Sequence, residues 1–190
     1  MKDIDKSKPI LVTGGSSYIA SWIVKLLLEN GRHVKTTVRD KFNNEKVGHL
    51  LKMEEEYPGK LELFEADLLN NESFFEPMKD CELVMHVASP FRMWKIKDPQ
   101  NELIRPALEG TRNVLQTANQ TPTVKRIVLT SSGVAIVGDA IEVKNTKNGF
   151  FTEDDWNTTS TPNHNPYSYS KTVAEKEAWK IAGGKINGIS

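Results

Sequence analysis

Several features are scarce in this chain, and each scarcity excludes something. One cysteine in 190 residues, Cys81, leaves no internal disulfide, which points to a cytoplasmic protein. Cys81 opens an apolar run and reads as core filler. There is no excess of charge: 25 acidic and 25 basic residues give a formal net charge of zero. Nothing therefore pulls the chain toward nucleic acid or an anionic membrane, and neither partner is expected. Long apolar runs are missing too. The longest, "IVKLLL", is interrupted by Lys25, so no segment can span a bilayer. The opening "MKDIDKSKP" has no apolar stretch of the kind a secretory signal needs. No cluster of His, Cys, Asp and Glu has metal-ligand spacing, so no metal is expected.

What is present is an alternation. "PILVT" reads as a buried strand, followed by Ile19, Ile23, Leu26 and Leu27 at helical spacing and by Gly31 as the helix stop. "HVKTTVR" is a second strand, "NNEKVGHLLKMEEEY" a second helix ended by Pro58-Gly59, and "KLELFEA" an alternating third strand. A short helix around Phe74 and Phe75 leads to the strand "ELVMHVA". A long helix is expected from about Asn101 to Asn119 with Pro106 near its start, then a fifth strand, "KRIVLTSS". A loop rich in Asn, Thr and Asp fills about 138–165, and a last helix starts near Pro166 with Asn165 as its cap. Strands alternating with helices imply an α/β, doubly wound, mostly parallel sheet with right-handed crossovers. In such sheets ligands sit beyond the carboxyl ends of the strands, where the strand order reverses. Thr13-Gly14, Arg39, Asp67, Ala88-Ser89 and Ser131-Ser132 occupy those ends. His86, inside the fourth strand, reads as a core histidine.

The first strand runs into "GGSSYIAS", a turn that can aim backbone N–H groups and a helix N-terminus at a phosphate. Gly14 suits the tight turn. At the following positions, spaced by three, stand Ser17 and Ala20 rather than two glycines. Ala20 still permits close helix–strand packing, whereas Ser17 sits in the slot that faces a pyrophosphate. Its Cβ takes up room that glycine would leave there.

In "HNPYSYSKTVAEKEAW", Tyr167 and Lys171 lie four apart, on one face of a helix, while Tyr169 points elsewhere. A nearby ammonium is expected to lower the phenol's pKa and prepare it for acid–base work. A serine from "LTSS" could hold a substrate carbonyl.

Together these segments resemble the extended short-chain dehydrogenase/reductase family, within the NAD-dependent epimerase/dehydratase superfamily, and its dihydroflavonol reductase, cinnamoyl-CoA reductase and methylglyoxal reductase group. The segments that carry the resemblance are "VTGGSSYIASWIVKLLLENGRHVKTTVRD", "FEADL", "HVASPF", "IVLTSS" and "YSYSKTVAEKEAW", in that order, across about residues 8–181. The resemblance implies one NAD(P)-binding Rossmann domain over 1–190, with most of a C-terminal substrate-binding part missing. It implies NADP(H) as cofactor. Gly14, Ser17 and Ala20 would form the pyrophosphate loop, Tyr18 and Ile19 would also bind the cofactor, Arg39 and Lys46 would meet the 2′-phosphate, and Asp67 and Leu68 would flank the adenine. Val87, Ala88, Ser89 and Thr130 would line the nicotinamide side. Ser132, Tyr167 and Lys171 would be catalytic, with Lys171 also holding the ribose, and the choice of Ser132 over Ser131 rests on the resemblance alone. The implied reaction is reduction of a small-molecule aldehyde or ketone by NADPH, by a monomer or homodimer. A nucleotide-sugar epimerase or dehydratase using Asp40 to hold NAD, and a dinucleotide-binding protein without turnover, are the competing expectations.

Overall fold

In a computed structural model, residues 3–92 and 94–183 are described. They fall into two compact units, one ending at Ala88 but including Asn113–Thr130, the other made of Ser89–Arg112 and the residues from Ser131 onward.

The first unit holds a five-stranded parallel sheet in the order β3-β2-β1-β4-β5. Its strands are β1 (Ile10–Val12), β2 (Val34–Val38), β3 (Leu61–Glu65), β4 (Leu83–His86) and β5 (Arg126–Leu129). The order reverses at β1, which pairs β2 on one side and β4 on the other, and this is the switch point expected of a doubly wound sheet. β1 and β2 are buried along their whole length, as two-faced parallel strands must be.

Helix α1 (Tyr18–Glu29) follows β1, and α2 (Asn44–Glu56) follows β2. The face of α1 that packs on the sheet is Ala20, Val24 and Leu28, with Ile23 and Leu27 at its margin. The periodic set read from the sequence was therefore turned by about one residue: Ile19 and Leu26 face solvent. Small Ala20 lets the helix approach the strands closely, which decides the phase. α1 ends in a Schellman motif. Gly31 takes φ +71°, its N–H bonds the Leu28 carbonyl, and the Arg32 N–H bonds that of Leu27. α2 starts on Asn43, whose side chain accepts the Lys46 N–H. The core joins Ile10, Val12, Val34, Val38, Val47, Leu50 and Leu61 to the α1 face. Each fully buried aliphatic side chain there contributes roughly 1.5–3 kcal/mol. Cys81 is buried, and burial raises its thiol pKa to about 11, so it is inert filler.

A 3₁₀ turn (Asn71–Phe74) and α3 (Phe75–Met78) precede β4. The long helix predicted from about Asn101 is instead a π-helical turn (Gln100–Ile104) followed by α4 (Arg105–Gln120), which crosses from the second unit into the first. Pro106 supplies the reason: it has no N–H, and its ring would crowd the carbonyl four residues back, so the chain widens ahead of it.

The second unit contains 3₁₀ turns at Gly133–Ala135 and Ala140–Asn145, and α5 (Pro166–Ile181), which packs on the first of these turns and on the π-helical turn. Asn165 precedes α5, but not as the side-chain cap expected. It sits at φ +56°, ψ +56°, and its amide bonds Asp139 instead. Asparagine tolerates that left-handed geometry better than most residues. Among the described residues, no helix is long and apolar enough to cross a membrane.

Candidate functional site

The candidate dinucleotide-binding residues at the ends of β1, β2 and β4 belong to the first unit. β1 ends at Thr13, and the turn that follows needs both of its glycines. Gly14 adopts φ +74°, and a Cβ there would lie 3.0 Å from Ala88. A Cβ on Gly15 would lie 2.2 Å from the Thr36 hydroxyl, so that position admits glycine alone. The sequence reading had assigned Gly15 no role. Ser17 precedes α1 at φ −85°, where any residue is at ease, and its hydroxyl caps nothing. Ser17, Tyr18 and Ile19 are all exposed. The first N–H groups of α1 have no side-chain cap, so this end of the helix keeps its positive pole available to an anion.

Thr13 ties this turn to the end of β4. Its hydroxyl accepts the N–H groups of Val87 (3.1 Å) and Ala88 (3.0 Å) and lies 2.8 Å from His86 Nδ1. With two N–H groups already accepted, the single hydroxyl proton goes to Nδ1. His86 is thereby set as the tautomer protonated on Nε2, a buried neutral imidazole. Neither Thr13 nor His86 was read from the sequence as supporting the Val87-Ala88 turn, because the bond spans 73 residues.

Arg39 follows β2, is exposed, and has no partner among the described residues. Its neighbour Asp40 is engaged, accepting the Phe42 N–H at 2.9 Å. Lys46, in the first turn of α2, is exposed as well. Asp67 accepts the Leu69 N–H (2.8 Å), and Asn113 donates to the Leu68 carbonyl (2.8 Å), holding the turn after β3. Asn113 was missed because only the folded α4 brings it there. Thr130 extends the β4–β5 pairing through its N–H to the His86 carbonyl. A backbone cradle open to an anion, flanked by free cations, fits a phosphorylated dinucleotide.

The candidate acid–base residues lie in the second unit, which begins at Ser89. The Ser132 hydroxyl lies near enough to the Tyr167 phenol to lower its pKa. Ser131 donates to the Glu175 carboxylate. Lys171 lies one turn beyond Tyr167, its Nζ 5.8 Å from the phenol ring centroid. Burial depresses the Lys171 pKa to about 8. Phe91 meets Tyr167 edge-on, with ring centroids 5.3 Å apart and an angle of 87° between the rings, and Tyr169 makes no such ring contact. The expectation that Lys171 would lower the phenol's pKa is not met. Burial raises it above the ordinary tyrosine value, and the Ser132 bond offsets this only partly.

The chain is 41% identical over 179 residues to an anthocyanidin reductase of Vitis vinifera, covering 92% of this chain and 52% of that protein. It is 44% identical over 178 residues to a cinnamoyl-CoA reductase of Medicago truncatula, with 90% and 52% covered. Among solved structures, yeast methylglyoxal/isovaleraldehyde reductase complexed with NADPH superposes with a TM-score of 0.78 at 30% identity, covering 93% of this chain and 53% of that one. The chain thus spans about half the length of the relatives it matches. The model of the NAD dependent epimerase/dehydratase family matches residues 10–190, and the chain belongs to that family.

Proposed function

We propose that this chain carries the cofactor and acid–base machinery of an NADPH-dependent carbonyl reductase that converts an aldehyde or ketone to an alcohol. The observation that carries the reading is the grouping of Tyr167 with Lys171, whose Nζ lies 5.8 Å from the phenol ring one turn along the same helix, and with Ser132 beside the phenol. NADPH, when bound, supplies a hydride to the carbonyl carbon. Tyr167 holds a proton on its phenol oxygen and passes it to the carbonyl oxygen as charge develops there. A phenol kept protonated by burial suits this direction, because an alkoxide is a far stronger base than a phenolate and takes the proton downhill. The Ser132 hydroxyl orients the phenol and donates to the developing oxyanion. Lys171, with a pKa near 8, stays cationic at pH 7 and can hold ribose hydroxyls. Phe91, exposed and edge-on to Tyr167, offers an apolar wall to the carbonyl compound. Anthocyanidin reductase, cinnamoyl-CoA reductase and methylglyoxal/isovaleraldehyde reductase are relatives whose names fit such chemistry.

NADP(H) rather than NAD(H) follows from Arg39 and Lys46, which are exposed, and from Asp40, whose carboxylate already serves a turn. The test is calorimetric titration of the chain with both cofactors. NADPH is expected to bind at least about tenfold more tightly than NADH, a gap of about 1.4 kcal/mol, and Arg39→Ala should remove most of it. Equal affinities would favour Asp40 as the ribose partner and the epimerase reading.

A further inference from the structure

We propose that Glu175 is a positioning residue for the reaction: by anchoring Ser131 it fixes the backbone that aims the Ser132 hydroxyl at Tyr167. The proposal rests on the reading of Tyr167 as the proton donor.

Three observations converge. Tyr167, Lys171 and Glu175 are spaced by four along α5, so they form one stripe that drifts only slowly around the helix. The chain leaving β5 meets this stripe at two places: Ser131 donates to Glu175, and the adjacent Ser132, at the start of the turn that packs on α5, lies beside Tyr167. The two contacts on α5 lie eight residues, or about 12 Å, apart, while their partners are neighbours in sequence. Two neighbouring side chains that reach such distant points must diverge, and each contact then restricts rotation of the peptide between them. Ser132 is extended at φ −154°, ψ +146°, and its oxygen also accepts the Val134 N–H, weakly, at 3.4 Å. That bond restrains Ser132 only from its C-terminal side, and the Ser131–Glu175 contact supplies the restraint on the other.

Glu175 is itself held. Its second oxygen accepts the Trp179 indole N–H at 3.3 Å, one turn further along the helix. The carboxylate therefore uses one oxygen to set its own rotamer and the other to grip Ser131. An ionised acceptor makes the stronger kind of hydrogen bond. Among the described residues no hydrogen bond joins Glu175 or Ser131 to the Tyr167 phenol, and the route proposed for their effect on it runs through Ser132.

The readout is the titration of Tyr167, followed by NMR of protein labelled at the tyrosine ζ-carbon, with Tyr167→Phe assigning the signal. It needs neither cofactor nor turnover, so the proposal can fail while the reductase reading stands, and the reverse. Ser132→Ala sets the scale by raising the Tyr167 midpoint. Ser131→Ala and Glu175→Ala are each expected to give at least half of that rise. The double variant should add nothing beyond the larger single effect, because both act through one contact. Glu175→Gln, which keeps one acceptor oxygen, should restore most of the wild-type midpoint. An unmoved Tyr167 midpoint in Ser131→Ala and Glu175→Ala, with the Ser132→Ala shift intact, overturns the proposal. So do strictly additive shifts in the double variant, since they would mean two independent influences. Amide spectra of each variant identify any that has lost the fold of α5, and Ser131→Ala, the smallest change, then carries the decision.

Discussion

At the scale of single residues, two side chains work against local stability or local pattern, and each supports a prediction. Lys171 is buried, and its folded pKa of about 8 lies below the ordinary lysine value of 10.5. Below pH 8 both folded and unfolded states carry the proton, and the folded state bears the full cost of a desolvated charge. Between pH 8 and 10.5 the folded state sheds the proton first, so the cost shrinks and stability rises relative to a neutral reference. Lys171→Met should therefore stabilise the fold at pH 7 by about 2 kcal/mol, and the gain should fade toward pH 10. Urea unfolding of both proteins at the two pH values checks this, and a destabilised methionine variant would show that the ammonium has compensating partners. Ser17 departs from pattern rather than from stability. Its backbone, at φ −85°, has no need of glycine. The remaining question is space at the pyrophosphate against a hydrogen bond from a hydroxyl that caps nothing. A charged acceptor gains about 1.5–3 kcal/mol from such a bond, less what the hydroxyl loses in leaving water. With the steric cost larger, Ser17→Gly should tighten NADPH by roughly 0.5–1.5 kcal/mol in side-by-side titrations. Weaker binding by the glycine variant would make Ser17 a phosphate ligand.

At the scale of elements, the segment between β5 and α5 shows what pattern alone could not convey. Its Asn, Thr and Asp content reads as loop, and most of it is irregular, yet it is closely bonded. Glu142 is buried and accepts the N–H groups of Gly138, Thr158 and Thr159 and the Thr158 hydroxyl, at 2.6–2.9 Å. Burial alone would raise its pKa, but these bonds outweigh burial and bring it down to about 2 from an ordinary 4.5. The stabilisation is complete above pH 4.5 and is lost as pH falls toward 2. Glu142→Gln turns an amide N–H₂ toward N–H donors and should cost about 2–3 kcal/mol at pH 7. The gap between the two proteins should narrow in urea melts as pH drops to 3; a gap constant with pH would mean the carboxylate's charge is not what holds the segment. Legibility divides along the same line. The five strands, their flanking helices, the Gly31 stop and the Tyr167–Lys171 spacing follow from period and punctuation, which are local. The glycine requirement at Gly15, the Thr13–His86 tie, the Asn113 bond and the Ser131–Glu175 contact depend on residues far apart in sequence. The phase of α1 and the π-helical turn before Pro106 were misread because small-residue packing and a missing N–H overrode the apolar period.

At the scale of the molecule, the cofactor residues named from sequence fall in the first unit, Ser89, Tyr167 and Lys171 excepted, and the catalytic three fall in the second. The first unit also leaves apolar surface uncovered. Along α1, Tyr18 (79%), Trp22 (46%) and Leu26 (52%) stand exposed four residues apart, with Ile19 beside them. Among the described residues β5 is the last strand of the sheet on its side, and Val128 on it is 43% exposed. Uncovered apolar stripes and open strand edges favour association, and a formal net charge of zero offers little repulsion against it. The 190-residue chain should therefore self-associate reversibly within the range of about 1 µM to 1 mM, with a sedimentation coefficient that rises with concentration. The two exposed features can be told apart. Trp22→Glu with Leu26→Lys removes the α1 stripe and installs a favourable i,i+4 pair, so the helix itself is not weakened. Val128→Lys places a charge on the outer strand and leaves α1 alone. Burial of a tryptophan and a leucine yields far more than burial of one valine, so the α1 pair should return the chain to a monomer while Val128→Lys shifts the association constant only slightly. The reverse ranking would place the contact at the edge of the sheet, and a wild-type chain that stays monomeric across the whole range would remove the prediction altogether.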